Sequence, residues 1–255
     1  MDKLPLSVAL ITYNEEENIE RTLKAVQDIA SEIIVIDSHS TDRTRQIASF
    51  LGAKVYEEDW KGFRRQKNSA LDKCTQNWIL SLDGDEVVTQ KLKDQIIKAI
   101  TQPWADGYFI NRRTVFLGRE LRHALYPDRQ LRLVRRDASP HWTGQSVHEL
   151  LKIKGKTARL KGYLLHYSFR DINDLVLRLN RYARLWAQDA AAHGKSLGIR
   201  RVLLSPLMAF FKNYIIKLGL LDLMPGFIVS CAMCYYSLLK AFYLWEEKKA
   251  RKQTT

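Results

Sequence analysis

Two aspartates flank a single glycine in Asp83-Gly84-Asp85, directly after the apolar run Trp78-Ile79-Leu80-Ser81-Leu82. Carboxylates so spaced at the end of a strand offer hard oxygen ligands to Mg2+ or Mn2+, and a cation held there can clamp a diphosphate. Asp-Gly also opens turns and caps helices, so the triplet alone leaves both readings standing. Two upstream junctions carry related chemistry. Leu6-Ser7-Val8-Ala9-Leu10-Ile11-Thr12 stops at Tyr13-Asn14-Glu15-Glu16, and Ile33-Ile34-Val35-Ile36 stops at Asp37 before Ser38-His39-Ser40-Thr41-Asp42.

The elements that must position these groups follow from the apolar pattern. Near-continuous apolar runs are the mark of strands buried on both faces of a parallel sheet. After the first, Asn14 and Glu17 have capping-box spacing, and Ile19, Leu23 and Val26 supply a helical stripe. A second helix follows Asp42 and ends at Gly52, a third strand spans Lys54-Val55-Tyr56-Glu57, and a basic helix carries Arg64, Arg65 and Lys67. The chain therefore reads βαβαβαβ, an α/β fold around an open, mostly parallel sheet whose strand ends line a polar pocket. No Gly-x-Gly-x-x-Gly and no Walker loop occurs, so the dinucleotide fingerprint and the P-loop are both absent.

Thr12-Tyr13-Asn14-Glu15-Glu16, Asp37-Ser38-His39-Ser40-Thr41-Asp42 and Asp83-Gly84-Asp85, in that order after three strands, resemble the family-2 glycosyltransferases of the GT-A fold (a Rossmann-like nucleotide-diphospho-sugar transferase sheet). The later segments Tyr126-Pro127-Asp128-Arg129-Gln130-Leu131-Arg132, Val147-His148-Glu149 and Leu165-His166-Tyr167 are similar to the branch that includes lipopolysaccharide-core β-glucosyltransferases. The resemblance implies that Thr12, Tyr13 and Glu15 lie beside the nucleotide base, Asp37 near base or ribose, and Asp83 near ribose and metal. It makes Asp85 the principal metal ligand.

Sugar transfer from a nucleotide donor builds negative charge on the departing diphosphate, which a divalent cation at Asp85 stabilises as a Lewis acid. Arg64, Arg65 and Lys67 could add charge-assisted contacts to the donor, although for any single one of them a solvated helix face is the more common role. The acceptor hydroxyl needs one general base, and attack opposite the leaving group inverts the anomeric centre without a protein nucleophile. The resemblance favours Glu149 as that base, with Asp128 second. Asp128 also fits a turn after Pro127, and Glu149 also fits a partner for a nearby arginine. His166, ending the strand-like Gly162-Tyr163-Leu164-Leu165, is a candidate third metal ligand or an ordinary buried histidine. Trp142, between His141 and His148, suits either a sugar-stacking ring or core.

At 255 residues, one sizeable core with an appendage is expected. The three cysteines cannot make a disulfide framework, nothing N-terminal has the order of a signal peptide, and a reducing cytoplasm is the expected setting. Cys231-x-x-Cys234 sits in an apolar run and reads as packing. We expect a GT-A catalytic domain over 1–168 and a helical membrane-association segment over 169–255. Asp171 begins an amphipathic helix with Leu175, Leu179, Tyr182 and Trp186 on one face. Uncharged Leu223–Leu239, interrupted by Pro225-Gly226, sits at the lower edge of the ~17–25 residues a spanning helix needs, and reads better as an interfacial helix. A helical subdomain packed on protein is the alternative.

The net charge of +13 suits an anionic membrane surface. Nucleic acid is disfavoured because the positives are dispersed and no binding motif is present. The expected activity is metal-assisted, inverting transfer of a hexose, glucose first, from a uridine-diphosphate sugar to a lipid-linked saccharide such as lipopolysaccharide inner core. The setting is the cytoplasmic face of the inner membrane, peripheral or monotopic. Transfer to a polyprenyl phosphate, or sugar-nucleotide or glycan binding without catalysis, are the alternatives.

Overall fold

A computed structural model describes residues 3–144, 149–196 and 198–253. In chain order the elements are β1 (Leu4–Thr12), α1 (Ile19–Lys24), β2 (Ala30–Asp37), α2 (Thr44–Phe50), β3 (Lys54–Glu57), α3 (Phe63–Asp72), β4 (Trp78–Asp83), β5 (Glu86–Val88) and α4 (Gln90–Thr101). There follow β6 (Gly107–Phe116), β7 (Arg119–Glu120), β8 (Asp128–Arg135), β9 (His141–Thr143), β10 (Leu150–Lys152) and β11 (Thr157–His166). Three long helices complete the chain: α5 (Ile172–Ala192), α6 (Ile199–Phe211) and α7 (Leu223–Gln253).

The chain divides into two units, Met1–Arg112 with Asp128–Tyr167, and Arg113–Pro127 with Ser168–Thr255. The expected boundary near residue 168 had placed all of the preceding chain in the first domain; the segment Arg113–Pro127 instead belongs with the helices.

In the first unit the sheet order is β3-β2-β1-β4-β8-β6-β11-β5. The β3-β2-β1-β4 half is parallel, as the apolar runs predict: β1, β2 and β4 are buried on both faces, β3 is the mostly exposed edge, and the strands are joined through helices. The other half turns antiparallel, with β8 pairing β4 and β6, and β5 pairing β11. Its strands mix apolar and charged positions, so their sheet role was not legible from continuous apolar runs. The core is made where Leu6, Val8 and Leu10 of β1 meet Leu80 and Leu82 of β4, Leu23 and Val26 of the first βα unit, and Ile96 of α4. Gly162 (φ +98°) lets β11 approach α4 so closely that a Cβ would stand 2.9 Å from the Leu92 backbone.

One local expectation is overturned. Helix α1 starts at Ile19 with Asn18 as its cap residue, not at Asn14. Asn14 takes a left-handed conformation (φ 53°), its side-chain oxygen accepts from the Thr41 backbone N–H, and its own N–H donates to Ser40. Asn tolerates that conformation and bonds locally, so it ties the first βα loop to the second instead of capping a helix.

In the second unit, Asp171 caps α5 by accepting from the Asp174 N–H. Pro225 falls in the first turn of α7, where its missing N–H costs nothing, so α7 runs unbroken through the anticipated interruption. Among the described residues, Gly219–Arg251 is long and apolar enough to cross a membrane by length and composition. Cys231 is exposed and Cys234 half-buried, so packing within this chain does not account for Cys231.

Candidate active site

The site grows from three adjacent strand ends. Thr12 of β1 pairs with Asp37 of β2, and Ile11 pairs with Asp83 of β4, so two strand spacings of ~4.8 Å separate the two carboxylate-bearing termini. Parallel pairing in this register is what carries Asp37 and Asp83 to one edge.

Asp37, fully buried, is held at hydrogen-bond distance by neutral donors, with Arg45 Nε farther off at 3.7 Å from Oδ1. The Thr12 hydroxyl donates to Oδ2 at 2.7 Å, the Ser40 hydroxyl to the same oxygen at 2.6 Å, and the Ser40 N–H to Oδ1 at 2.7 Å. Buried carboxylates need such donors, and here the β1 and β2 loops supply them together. Gly84 sits at a close approach: a Cβ on it would lie 3.0 Å from the Glu15 Cγ and 3.4 Å from the Thr12 Cγ2. Thr22 Oγ1 also donates to the Gly84 carbonyl at 2.8 Å. The first βα loop and the Asp-Gly-Asp turn therefore fit against each other, with Glu15 between them. Tyr13, between Thr12 and Asn14 in the same loop, is 58% exposed.

Asp83 is held by cations. Lys67 Nζ lies 2.8 Å from Oδ1, Arg132 Nη2 2.7 Å from Oδ2, and Arg112 Nη1 3.7 Å from Oδ2. Burial opposes ionisation, but Arg132, Lys67 and Arg112 outweigh it and hold the Asp83 carboxyl well below the usual range. Fully buried Glu86 extends the network: Oε1 accepts from Arg132 at 2.7 Å and Arg112 at 3.0 Å, while Oε2 accepts the Asp83 N–H at 3.0 Å. Arg112 then donates its Nε to Asp128 Oδ2 at 2.8 Å, and Gln130 donates to Asp128 Oδ1 at 2.9 Å. Against the opposing effect of burial, Arg112 and Gln130 keep the Asp128 carboxyl below its ordinary value. Arg132 is 2% exposed, and its Nε and Nη1 have no hydrogen-bond partner among the described residues.

Asp85 faces a different neighbour. His166, at the end of β11, brings Nε2 to 3.4 Å from Asp85 Oδ2, because β11 pairs β5 with His166 opposite Glu86. Burial lowers the affinity of this imidazole for a proton, but the Asp85 charge and hydrogen bond reverse that and raise its pKa. No group of three or more His, Cys, Asp or Glu side chains poised for a metal occurs among the described residues. The Asp83, Asp85 and His166 trio is thus not assembled, since both Asp83 oxygens are engaged by Lys67 and Arg132. Asp85 and His166 remain as one carboxylate oxygen donor and one imidazole. That pair fits a Mg2+ or Mn2+ ion that takes its other ligands from a diphosphate and water, as such ions commonly do.

Lys67 is therefore no solvated surface charge. Its ammonium also lies 4.5 Å from the centre of the Trp142 ring, and Trp142 is 5% exposed, with its backbone N–H and carbonyl bonded to the Asn68 amide. Trp142 is core that seats Lys67, and no open ring face remains for a sugar. Arg64 and Arg65 are exposed, with Arg64 Nη1 3.4 Å from the Gly144 carbonyl. Half-buried Glu149 immediately precedes Leu150, whose register partner is Thr143, next to Trp142; Val147 and His148 lie outside the described residues.

Three residues of this network were given no role by sequence reasoning: Glu86, Arg112 and Arg132. The signal for Arg132 is a charge flanked by Leu131 and Leu133 in a strand, a placement a protein tolerates only when the charge is paired. Arg112 and Glu86 carry no such mark.

Residues 7–154 match the glycosyl transferase family 2. An uncharacterized glycosyltransferase of Rickettsia typhi is 29% identical over 94% of this chain and 87% of its own length. The lipopolysaccharide core biosynthesis glycosyltransferase LpsC of Rhizobium meliloti is 28% identical, covering 96% of this chain and 93% of LpsC. Among solved structures, TarS 1-349 from S. aureus superposes with a TM-score of 0.50 at 17% identity, over 98% of this chain and 92% of that one, a likeness of fold. The fold is GT-A, and because the family match spans more than half of the chain, this protein belongs to glycosyl transferase family 2.

Proposed function

We propose that this glycosyltransferase moves a hexose, glucose first, from a uridine-diphosphate sugar to a lipid-linked saccharide, with lipopolysaccharide inner core as the favoured acceptor and inversion at the anomeric carbon. The observation that carries the proposal is the convergence of Asp37, Asp83 and the Asp85–His166 pair at neighbouring strand ends. The similarity to LpsC over nearly the whole of both chains supports the acceptor class.

In this reading the exposed ring of Tyr13 stacks on the base, while Thr12, Glu15 and Asp37 border the base and ribose. Asp83, oriented by Lys67 and Arg132, meets the ribose edge, and the unpartnered N–H groups of Arg132 favour an anionic ligand beside it. Asp85 and His166 hold a divalent cation that, when bound, supplies Lewis-acid stabilisation of the leaving diphosphate. Glu149 takes the acceptor proton as the hydroxyl attacks from the face opposite the diphosphate. Asp128 is the weaker candidate, because a carboxylate clamped by Arg112 and held below its usual pKa is a poor proton acceptor. The helices after residue 168 hold the enzyme against the anionic cytoplasmic face of the inner membrane, where such an acceptor is reached.

The test is transfer with purified protein, UDP-glucose and other nucleotide sugars, Mg2+ or Mn2+, and extracted core lipid. Glu149→Gln is expected to keep donor binding and lose about 10²–10⁴-fold in turnover. Retained turnover would remove Glu149 from the mechanism, and no transfer from any uridine-diphosphate sugar would remove the donor assignment.

A further inference from the structure

Helix α7 has the length and composition to cross a bilayer, yet its apolar surface is one-sided. Met224, Phe227, Cys231, Tyr235, Phe242 and Trp245 are exposed and recur at intervals of three, four and seven, forming one stripe along the helix. The opposite side, with Val229, Ala232, Ala241 and Leu244, is buried. Such polarity between faces suits a helix at an interface better than one surrounded by hydrocarbon.

What covers the buried side sharpens the point. Helix α5 runs beside α7: Leu175 and Leu179 cluster with Val229 and Ala232, and Ala187, Ala190 and Ala191 cluster with Leu244. The Tyr243 hydroxyl donates to Asn180, and Arg251 donates to the Ala191 carbonyl. Arg181, Arg184 and Asp189 stand exposed on α5. If α7 crossed a bilayer, α5 would carry these charges to the same depth, where ionised side chains are strongly disfavoured. The start of α7 is also tied to a polar loop, since buried Asp222 accepts backbone N–H bonds from Arg122, His123 and Ala124 at 2.8–3.0 Å.

Helix α6 extends the apolar surface. It packs along α7, with Phe210 against Phe227, and exposes Leu203, Leu204, Leu207, Met208 and Phe211. Lys212 is exposed at its end, and Lys249 lies over the Trp245 ring at 5.3 Å, so cations flank the stripe at either end. Apolar area bordered by basic and aromatic residues complements an anionic leaflet.

We propose that α6 and α7 form a monotopic anchor lying in the plane of one anionic leaflet, with α5 on its water side and both ends of α7 on the same side of the membrane. This rests on the membrane association proposed above and states its geometry. The test uses the full chain with Cys231→Ser and Cys234→Ser, carrying either Leu221→Cys or Lys249→Cys, in sealed inner-membrane vesicles of both orientations from expressing cells. An impermeant maleimide is expected to label both positions in inverted vesicles and neither in right-side-out vesicles. Labelling of one position from each side would establish a spanning helix and overturn the inference while leaving membrane association intact.

In parallel, binding of purified protein to sealed phosphatidylethanolamine/phosphatidylglycerol vesicles is measured. Leu207→Glu with Phe211→Glu is expected to weaken it by at least about a hundredfold, with helix content by circular dichroism unchanged. Unchanged binding would overturn the anchoring role of α6. No binding by the parent protein, with the stripe buried in a dimer instead, would overturn the membrane reading itself.

Discussion

Carboxylates in the two units of this protein are held differently. In the helical unit, Asp222 is met by three backbone N–H groups, donors whose positions are set by the fold. In the catalytic unit, Asp83 and Glu86 are met by the side chains of Lys67, Arg112 and Arg132. A carboxylate satisfied by backbone is a clamp, and nothing in that arrangement can be exchanged for a ligand. One satisfied by side-chain cations is surrounded by groups that can also turn toward a phosphate, at the cost of keeping several charges out of water. In the function proposed above, burial serves architecture in the first arrangement and donor binding in the second. Asp85 belongs to neither class, with an imidazole as its near neighbour.

Breaking each arrangement should separate them, beginning with the largest effect. Asp85→Ala is expected to lower transfer by about 10³-fold with little change in stability, read from single-turnover rates beside thermal unfolding. A comparable loss of stability would place Asp85 with the structural carboxylates. Arg132→Met leaves Glu86 buried with a weakened set of partners, and a loss of about 3–5 kcal/mol in denaturant unfolding is expected together with loss of donor binding. Asp222→Ala strands three backbone donors, so a loss of about 2–4 kcal/mol is expected, with accelerated hydrogen exchange at Arg122, His123 and Ala124 and donor affinity unchanged. If donor affinity fell as far as stability did, the division between clamp and site would not stand.

The smallest effect concerns a half-solvated ion pair. The Lys73 ammonium, with help from Ser69 and Lys61, lowers the Glu58 carboxyl to about 2 against the smaller opposing effect of burial. A folded pKa below the unfolded value contributes stability that is present above about pH 4.5 and lost as pH falls toward 2. Glu58→Gln should therefore flatten the fall in unfolding free energy across that window and leave neutral-pH transfer unaltered.

The parallel half of the sheet was legible because burial on both faces demands uninterrupted apolar strands, as in β1, β2 and β4. The positions of the polar residues at its edge were legible for the same reason: a polar residue ending such a strand has one place to be. Of the antiparallel half only the end of β11, residues 162–165, was legible, because β6, β8 and the start of β11 mix charges with apolar residues in patterns that also suit exposed hairpins. Arg112 and Glu86 became visible only once that half was folded against β4 and β5. The start of α1 was misread at Asn14 because a capping signal is local, whereas the competing bonds to Ser40 and Thr41 come from a loop far along the chain.

The amino-acid sequence by itself determined the βα repeat, the family and the strand-end residues Thr12, Asp37, Asp83 and Asp85, since these follow from periodicity and residue type along the chain. Only the tertiary structure decided that Asp83 is taken by Lys67 and Arg132 while Asp85 is left facing His166. It also decided that Trp142 is core, and that the apolar side of α7 is a stripe. The physical reason is that a side chain's role at such places depends on which charge or surface from a distant element lies within a few ångströms of it, and no local pattern encodes that distance.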